Sequence, residues 1–263
     1  MKAMWSAASG MKGLQLKIDT IGNNLANVST FGFKKQRVEF KDLMYEKIAQ
    51  TDFKDGQGKP VPLEVGHGVM PTATTRTFTT GSLEQTENPF DVALNGDGFF
   101  VIKDGMGRER YTKDGAFKLS VNAGVSSLVT TDGYAVQGTD GNLVLGADLD
   151  KMIIGKDGSV SVKRKGAETE EALGSLKVVR FTNPAGLEAQ GTNLYAKSAA
   201  SGDPIDGVAG DAGETWQGFL ESSNVQVVDE MIQMISAQRA YELNSKTIQT
   251  ADKILELAAN LKR

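Results

Sequence analysis

His67 is the only histidine in the sequence, and it stands between Gly66 and Gly68. Imidazole is the side chain best suited to proton transfer near neutral pH. A lone one between two glycines reads first as part of a turn, and it leaves no His-x-x-x-His pair to hold a metal. Cysteine is absent, which excludes thiolate nucleophiles, thiolate metal sites and disulfides. The phosphate-cradling pattern G-x-x-x-x-G-K-[ST] and the nucleophile elbow G-x-S-x-G are both missing. Gly96 and Gly98 lack a third glycine and a following helix, so they read as a hairpin and not as a dinucleotide loop. The stretch from Asp104 to Asp114 lacks the ligand spacing of a calcium loop. Glu168, Glu170 and Glu171 form a charge run of the solvated kind. Nothing converges on a catalytic constellation. The sequence therefore predicts no enzyme, no cofactor and no metal.

The chemistry that remains is non-covalent, and it lies at the two ends. Met4, Ala7, Met11, Leu14, Ile18, Ile21, Leu25 and Val28 recur at alternating steps of three and four, a helical seam of nearly four heptads. Gly10, Gly13 and Gly22 weaken that helix by about 1 kcal/mol each relative to alanine, so it needs partners to form. The C-terminal segment repeats the pattern through Val227, Met234, Ala237, Tyr241, Asn244, Ile248, Ala251, Leu255 and Ala258. Neither Gly nor Pro occurs from Asn224 to Arg263, and Asn224 reads as an N-cap after Ser222 and Ser223. Asn244 falls on the seam, where a polar residue can fix register at some cost in stability.

Between the ends the pattern changes. Asp-Gly occurs at 97–98, 104–105, 114–115, 132–133, 140–141 and 157–158, and Asn95-Gly96 adds another turn signal. These suit two-residue hairpins, whose central residues both take positive φ. Strand-like runs lie between them: Phe99–Lys103, Ala116–Val121, Leu128–Thr131, Leu143–Leu145 and Lys177–Phe181. The polar, acidic stretch from Gly166 to Gly174 reads as a surface loop. The fold class is therefore α+β, with N- and C-terminal helices pairing as a coiled-coil-like stem and a central antiparallel all-β domain. The expected division is 1–30 with 223–263 as the helical part, 31–68 as an extended linker, and 69–222 as the β-rich part, with a candidate split near residue 150. A seam at both ends suggests assembly; a compact α+β monomer with its helices on the sheet is the plain alternative.

Composition sets the outer limits. Glycine is enriched at 30 residues, while proline numbers only 6, a turn-rich β composition. The net charge of −4 is too mild for nucleic acid to be the main partner. Residues 1–41 hold seven Lys/Arg and two Asp/Glu, a net +5, so the remainder carries −9. No apolar run approaches the ~20 residues of a membrane span. Met1–Gly10 has one Lys and no apolar stretch, so it does not read as a cleavable leader.

A resemblance gives these features a common setting. Residues 18–33 read IDTIGNNLANVSTFGF. Asn23-Asn24-Leu25-Ala26-Asn27, followed by Thr30-Phe31-Gly32-Phe33-Lys34, resembles the N-terminal signature of the bacterial flagellar axial proteins, which include rod, hook and hook-associated proteins. Ser223–Met231 and Gln238–Lys246 (QRAYELNSK) resemble the same family's terminal helix. Asn88–Phe100 (NPFDVALNGDGFF) and Tyr111–Phe117 (YTKDGAF) resemble its β-domain motif. Within that family, a segment from about Tyr45 that ends Glu64-Val65-Gly66-His67-Gly68-Val69 resembles the distal rod members.

The resemblance implies a helical homopolymer, a hollow drive shaft that transmits torque and lets exported axial proteins pass. The implied assembly interface comprises Met4, Met11, Leu14, Ile18, Ile21, Asn23, Asn24, Leu25, Asn27 and Val28 on the first helix. On the second it comprises Val227, Met234, Tyr241, Asn244, Ile248, Ala251, Leu255 and Ala258. Gly32 and Phe33 form the implied linker motif, and residues 31–68 would brace neighbouring subunits. The implied partners are other copies, the proximal rod and hook subunits, the flagellar type III export apparatus, and surrounding rings where an outer membrane is present. No nucleic acid and no membrane insertion is implied, and the location is the extracytoplasmic basal body. The alternatives are a proximal rod or hook-type subunit, a secreted β-rich binding module with a helical oligomerisation stem, and a peptidoglycan hydrolase.

Overall fold

The computed structural model describes residues 2–49, 63–122, 125–139, 141–146, 149–166, 169–207 and 212–260. Pro60, Pro62 and Glu168 lie outside these residues. The chain forms two compact units, one of residues 1–26, 36–75 and 226–263, the other of residues 27–35 and 76–225.

The first unit holds both helices. Helix α1 spans Lys2–Ala26 and α2 spans Val227–Asn260. They pack side by side and antiparallel: Asn24 touches Glu230, and Gly10 faces Asn244. The glycines of α1 have a packing role that the propensity argument misses. A Cβ on Gly13 would lie 2.9 Å from the ring of Phe40, and one on Gly10 would lie 3.3 Å from the Asn244 amide. β1 (Gln36–Asp42) pairs with β4 (Val69–Arg76), and β2 (Tyr45–Ala49) pairs with β3 (Leu63–Gly66). The run Phe33, Val38, Phe40 thus leads into a strand. Among the described residues, no helix is long and apolar enough to cross a membrane.

The second unit is antiparallel β throughout its described pairings. Its early strands are β5 (Leu83–Gln85), β6 (Val92–Asn95), β7 (Phe99–Lys103), β8 (Glu109–Thr112), β9 (Lys118–Asn122), β10 (Val125–Val129) and β11 (Ala135–Gly138). Next come β12 (Gly141–Asn142), β13 (Val144–Gly146), β14 (Leu149–Ile154), β15 (Ser159–Arg164), β16 (Glu170–Ser175) and β17 (Val178–Arg180). The last are β18 (Glu188–Gly191), β19 (Leu194–Ala196), β20 (Ile205–Gly207), β21 (Glu214–Gln217) and β22 (Phe219–Glu221). The main sheet runs β13-β10-β11-β7-β8-β19-β18, and β14-β15-β16 form a separate sheet.

β7 is the keystone strand. Its alternation sends Phe100 and Ile102 into one apolar cluster and Phe99 and Val101 into another, so both faces are covered. The second cluster is aromatic, with Phe99 meeting Phe78, Phe181 and Tyr195 edge to face.

Several turn expectations change. The β7–β8, β10–β11 and β14–β15 hairpins close over three-residue loops. In each, the amide of Asp104, Thr130 or Gly155 donates to the carbonyl four residues on. Gly107, Gly133 and Gly158 donate back from φ of 80°, 86° and 78°. One glycine in the left-handed region at the end of a type I turn is needed, instead of two consecutive positive-φ residues. Asn95–Gly98 is not a hairpin: β6 pairs with β21, and the Gly98 amide donates to the Ala212 carbonyl at 2.9 Å. The Gly166–Gly174 stretch is not simply a loop, because Glu170–Ser175 forms β16. It pairs as an edge beside β15, and Arg164 bonds Glu171 at 2.8 Å. Charges suit an exposed edge.

Asn224 is not an N-cap. Its side-chain oxygen accepts the Lys35 amide at 2.8 Å and its nitrogen donates to the Thr77 carbonyl at 2.8 Å, so both ends are already taken. Helix α2 begins later, at Val227, where Asp229 and Glu230 complement its dipole.

Lys34, Asp91, Lys113 and Glu221 are charged side chains buried in this unit. Lys34 and Glu221 are 0% exposed and 2.6 Å apart, and Lys34 also donates to the Thr79 carbonyl at 2.8 Å. Lys113 donates to the Gly96 carbonyl and sits over the Phe99 ring. Burial pushes the Lys113 ammonium down to about 8; Glu221 pulls the other way, and Lys34 adds to the fall.

Two outcomes follow for urea unfolding of this unit. Lys34→Met should cost about 3–5 kcal/mol, because it strands a buried carboxylate, and Lys34→Met with Glu221→Leu should recover a large part of that. The folded pKa of Lys113 lies below its unfolded value of 10.5. The cost of burying its charge is therefore present in full below pH 8 and is relieved between about pH 8 and 10.5. Stability should rise over that range until buried Tyr111, whose pKa is pushed up to about 12, begins to oppose it above pH 10. Lys113→Met should remove the rise; a flat profile in the parent protein would contradict the assignment.

Candidate assembly interface

The two seams reach the same unit by different routes. On α1, Ile21 and Asn24 are buried, while Met4, Met11, Leu14, Ile18 and Leu25 are half-buried and Asn23 is exposed. Asn27 and Val28 follow the helix in the second unit and are half-buried. On α2, Met234, Asn244, Ile248 and Ala251 are half-buried, and Val227, Tyr241, Leu255 and Ala258 are exposed. α1 therefore contributes a mostly covered stripe, and α2 a stripe covered only in its middle. Ala7, Gly13, Thr20, Glu230 and Ala237 are also buried. Ala7 and Ala237 lie on the apolar period. Glu230 holds the same register, between Val227 and Met234, but a carboxylate there gives no apolar signal.

Glu230 explains the asparagine at position 24. Asn24 is 1% exposed and donates to Glu230 Oε2 at 3.1 Å and to the Gln36 carbonyl at 2.8 Å. Its oxygen accepts the Gln36 amide at 2.9 Å. One amide thus ties the end of α1 to the first turn of α2 and the start of β1. An amide is the side chain that can donate to a carboxylate while pairing both ways with a peptide group. Asn24 is therefore hydrogen-bonded within its own chain.

The linker motif is buried within the second unit. Gly32 has φ 67° and donates its amide to the Glu221 carbonyl at 2.8 Å. A Cβ there would lie 2.7 Å from the Asp114 amide nitrogen, so glycine is required both for conformation and for space. Phe33 is buried, Asn193 donates to the Phe31 carbonyl at 3.0 Å, and Lys34 pairs with Glu221. Thr30–Lys34 therefore plugs the β unit.

α2 also carries a second apolar stripe that the seam analysis missed. Val228, Met231, Ile232, Ile235, Leu243, Ile254 and Leu257 are all exposed large side chains on α2. The signal was present as a second three–four series. His67 does no more than face Glu46, at 3.6 Å. Among the described residues, no group of three metal-ligating side chains converges. The described residues of the two helices provide surface for packing.

Asn24→Asp should be worse than Asn24→Ala at neutral pH. The alanine leaves the Gln36 peptide group unpaired and costs about 1–3 kcal/mol, whereas the aspartate adds a carboxylate against Glu230. Thermal melting of the helical unit at pH 7 and pH 4 checks this: Asn24→Asp should regain stability in acid, and equal melting of the two variants at pH 7 would contradict the latch.

Three family models match the chain in order. They are the flagella basal body rod protein model over residues 4–34, the flagellar hook protein FlgE/F/G D1 domain over 93–162, and the flagellar basal body rod FlgEFG protein C-terminal model over 217–261. The two terminal models fall on α1 with the linker motif and on α2; the middle one falls on the β unit. The flagellar basal-body rod protein FlgG of Borreliella burgdorferi is 45% identical over 100% of this chain and 99% of its own. The protein of the same name from Buchnera aphidicola is 40% identical over 98% and 99%. That from Bacillus subtilis is 40% identical over 100% of both. With identity at that level from end to end, this chain belongs to the flagellar basal-body rod protein family.

Proposed function

We propose that the chain builds the distal part of the flagellar rod. Membership of the family makes it a structural subunit of the basal-body rod and not an enzyme. The distal position is favoured by the segment ending Glu64-Val65-Gly66-His67-Gly68-Val69 and by full-length similarity to proteins named FlgG. In this reading the subunits stack helically around a channel. The α1 and α2 seams pair in a coiled-coil-like stem, and the seam residues named above meet neighbouring copies. Residues 31–68 brace adjacent subunits and the β unit lies outermost. The partners are other copies, the proximal rod below, the hook above, rings where an outer membrane exists, and the type III apparatus that exports the chain.

One observation carries the assembly reading: Val228, Ile232, Ile235 and Leu257 remain exposed on a helix that has already packed against its own partner. Helices of soluble proteins seldom leave such a stripe open unless it marks an interaction site. Rigidity in a drive shaft would come from covering that surface, at about 1.5–3 kcal/mol for each large apolar side chain fully buried.

Two experiments bear on this. Electron microscopy of purified hook–basal bodies, with an antibody against the β unit, should label the rod next to the hook. Label at the inner end of the rod would change the position assigned, and label elsewhere in the cell would remove it. Ile248→Asp should abolish swimming and rod assembly while the β unit still unfolds cooperatively, because it puts a charge into a dry seam; normal motility would contradict the seam.

A further inference from the structure

Among the described residues, two that are not glycine hold a left-handed backbone, and they are consecutive: Thr192 at φ 46° and Asn193 at φ 56°. They close the β18–β19 hairpin, in which Gly191 pairs with Leu194. A two-residue turn of this kind needs positive φ at both central positions, which suits asparagine and glycine. Asn193 fits. Thr192 does not, because its branched β-carbon makes the left-handed region a genuine outlier. Strain of this sort persists only where the surroundings hold it, and it points to a place where the fold uses it.

The linker motif is what holds it. Asn193 Nδ2 donates to the Phe31 carbonyl at 3.0 Å, and the same side chain hydrogen-bonds the Asp114 carboxylate. The Asn193 carbonyl accepts Thr112 Oγ1 at 3.0 Å. Gly32, next to Phe31, is pressed against the Asp114 backbone. Motif, Asp114 and turn therefore meet at one point, all within the second unit. Holding a β-branched residue left-handed costs about as much as one or two neutral hydrogen bonds return. The closed turn is near balance, and loss of the Phe31 carbonyl would tip it.

On the other side of the turn lies β18, the last strand of the main sheet. All four of its residues, Glu188–Gly191, are exposed. Its described pairing is with β19. Such an edge offers unpaired N–H and C=O groups to other chains.

We propose that the Thr192–Asn193 turn is a strained latch that relays the seating of Thr30–Lys34 to edge strand β18. With the motif seated, Asn193 is hooked, Thr192 is held left-handed and β18 lies on β19. When the motif withdraws, the turn relaxes and β18 frays. A chain whose linker is not seated then offers no formed edge for unwanted pairing. The relay belongs to the single chain, so it goes beyond the rod reading and does not depend on it.

Coupling between two sites is reciprocal, so each variant is read at the far site, by amide hydrogen exchange in the full-length monomer. Thr192 is exposed, and asparagine takes the left-handed region readily. Thr192→Asn should therefore keep the latch closed and slow the Gly32 amide, which donates to the Glu221 carbonyl, by about fivefold or more. Asn193→Asp keeps the size and the turn tolerance but removes the donor; it should speed the amides of β18 by a similar factor. Amides of β7 should be unchanged in both. An unchanged Gly32 amide in Thr192→Asn, or unchanged β18 in Asn193→Asp, would show that turn and motif are independent. Equal changes at β7 would show a general shift in stability. Either result overturns the latch and leaves the rod assignment standing.

Discussion

The constraint on which the rest depends is that α2 has more apolar surface than its own chain can cover. A helix of 34 residues lies beside one of 25, and α1 brings glycine at positions 10, 13 and 22. Close approach at Gly10 and Gly13 gains contact with Asn244 and Phe40. It also means that α1 is narrow and can cover only one side of α2. Here Val228, Ile232 and Leu257 stay in solvent, and the family supplies the reason: the chain is a subunit of a rod.

Within the chain, polar groups set positions that apolar packing leaves loose. Asn24 fixes the end of α1 against α2 and β1 with a single amide. Lys34 and Glu221 join the linker motif to β22 in the second unit, and Gly32 lets the backbone approach Asp114 closely enough for that pair to form. Buried pairs of this sort add little net stability against an apolar replacement but penalise any arrangement that separates them. A subunit that must present the same surface to many identical neighbours has a use for that property.

Much of this was legible in the sequence. The three–four period gave both helices, and the apolar run at β7 gave the central strand. What failed did so for identifiable reasons. Asp-Gly marks a turn but not its length, which is set by the one glycine that must be left-handed, as at Gly133 and Gly158. Asn224 has the chemistry of a cap, yet its partners, Lys35 and Thr77, are distant in sequence. Glu230 and Lys34 are charged residues in buried positions, which residue type alone assigns to the surface. The second stripe of α2 is interrupted by Arg239, Glu242 and Lys246, which hides its period in the sequence.

The most direct test of the central claim is amide hydrogen exchange along α2, measured in the dilute monomer and in isolated rods. If other copies complete the cover of this helix, the amides from Tyr241 to Asn260 should exchange rapidly in the monomer. In the rod they should be slowed by about a hundredfold or more, while those of β7 are protected equally in both. Equal protection of α2 in the two states would mean that the helix needs no neighbour, and would contradict the account.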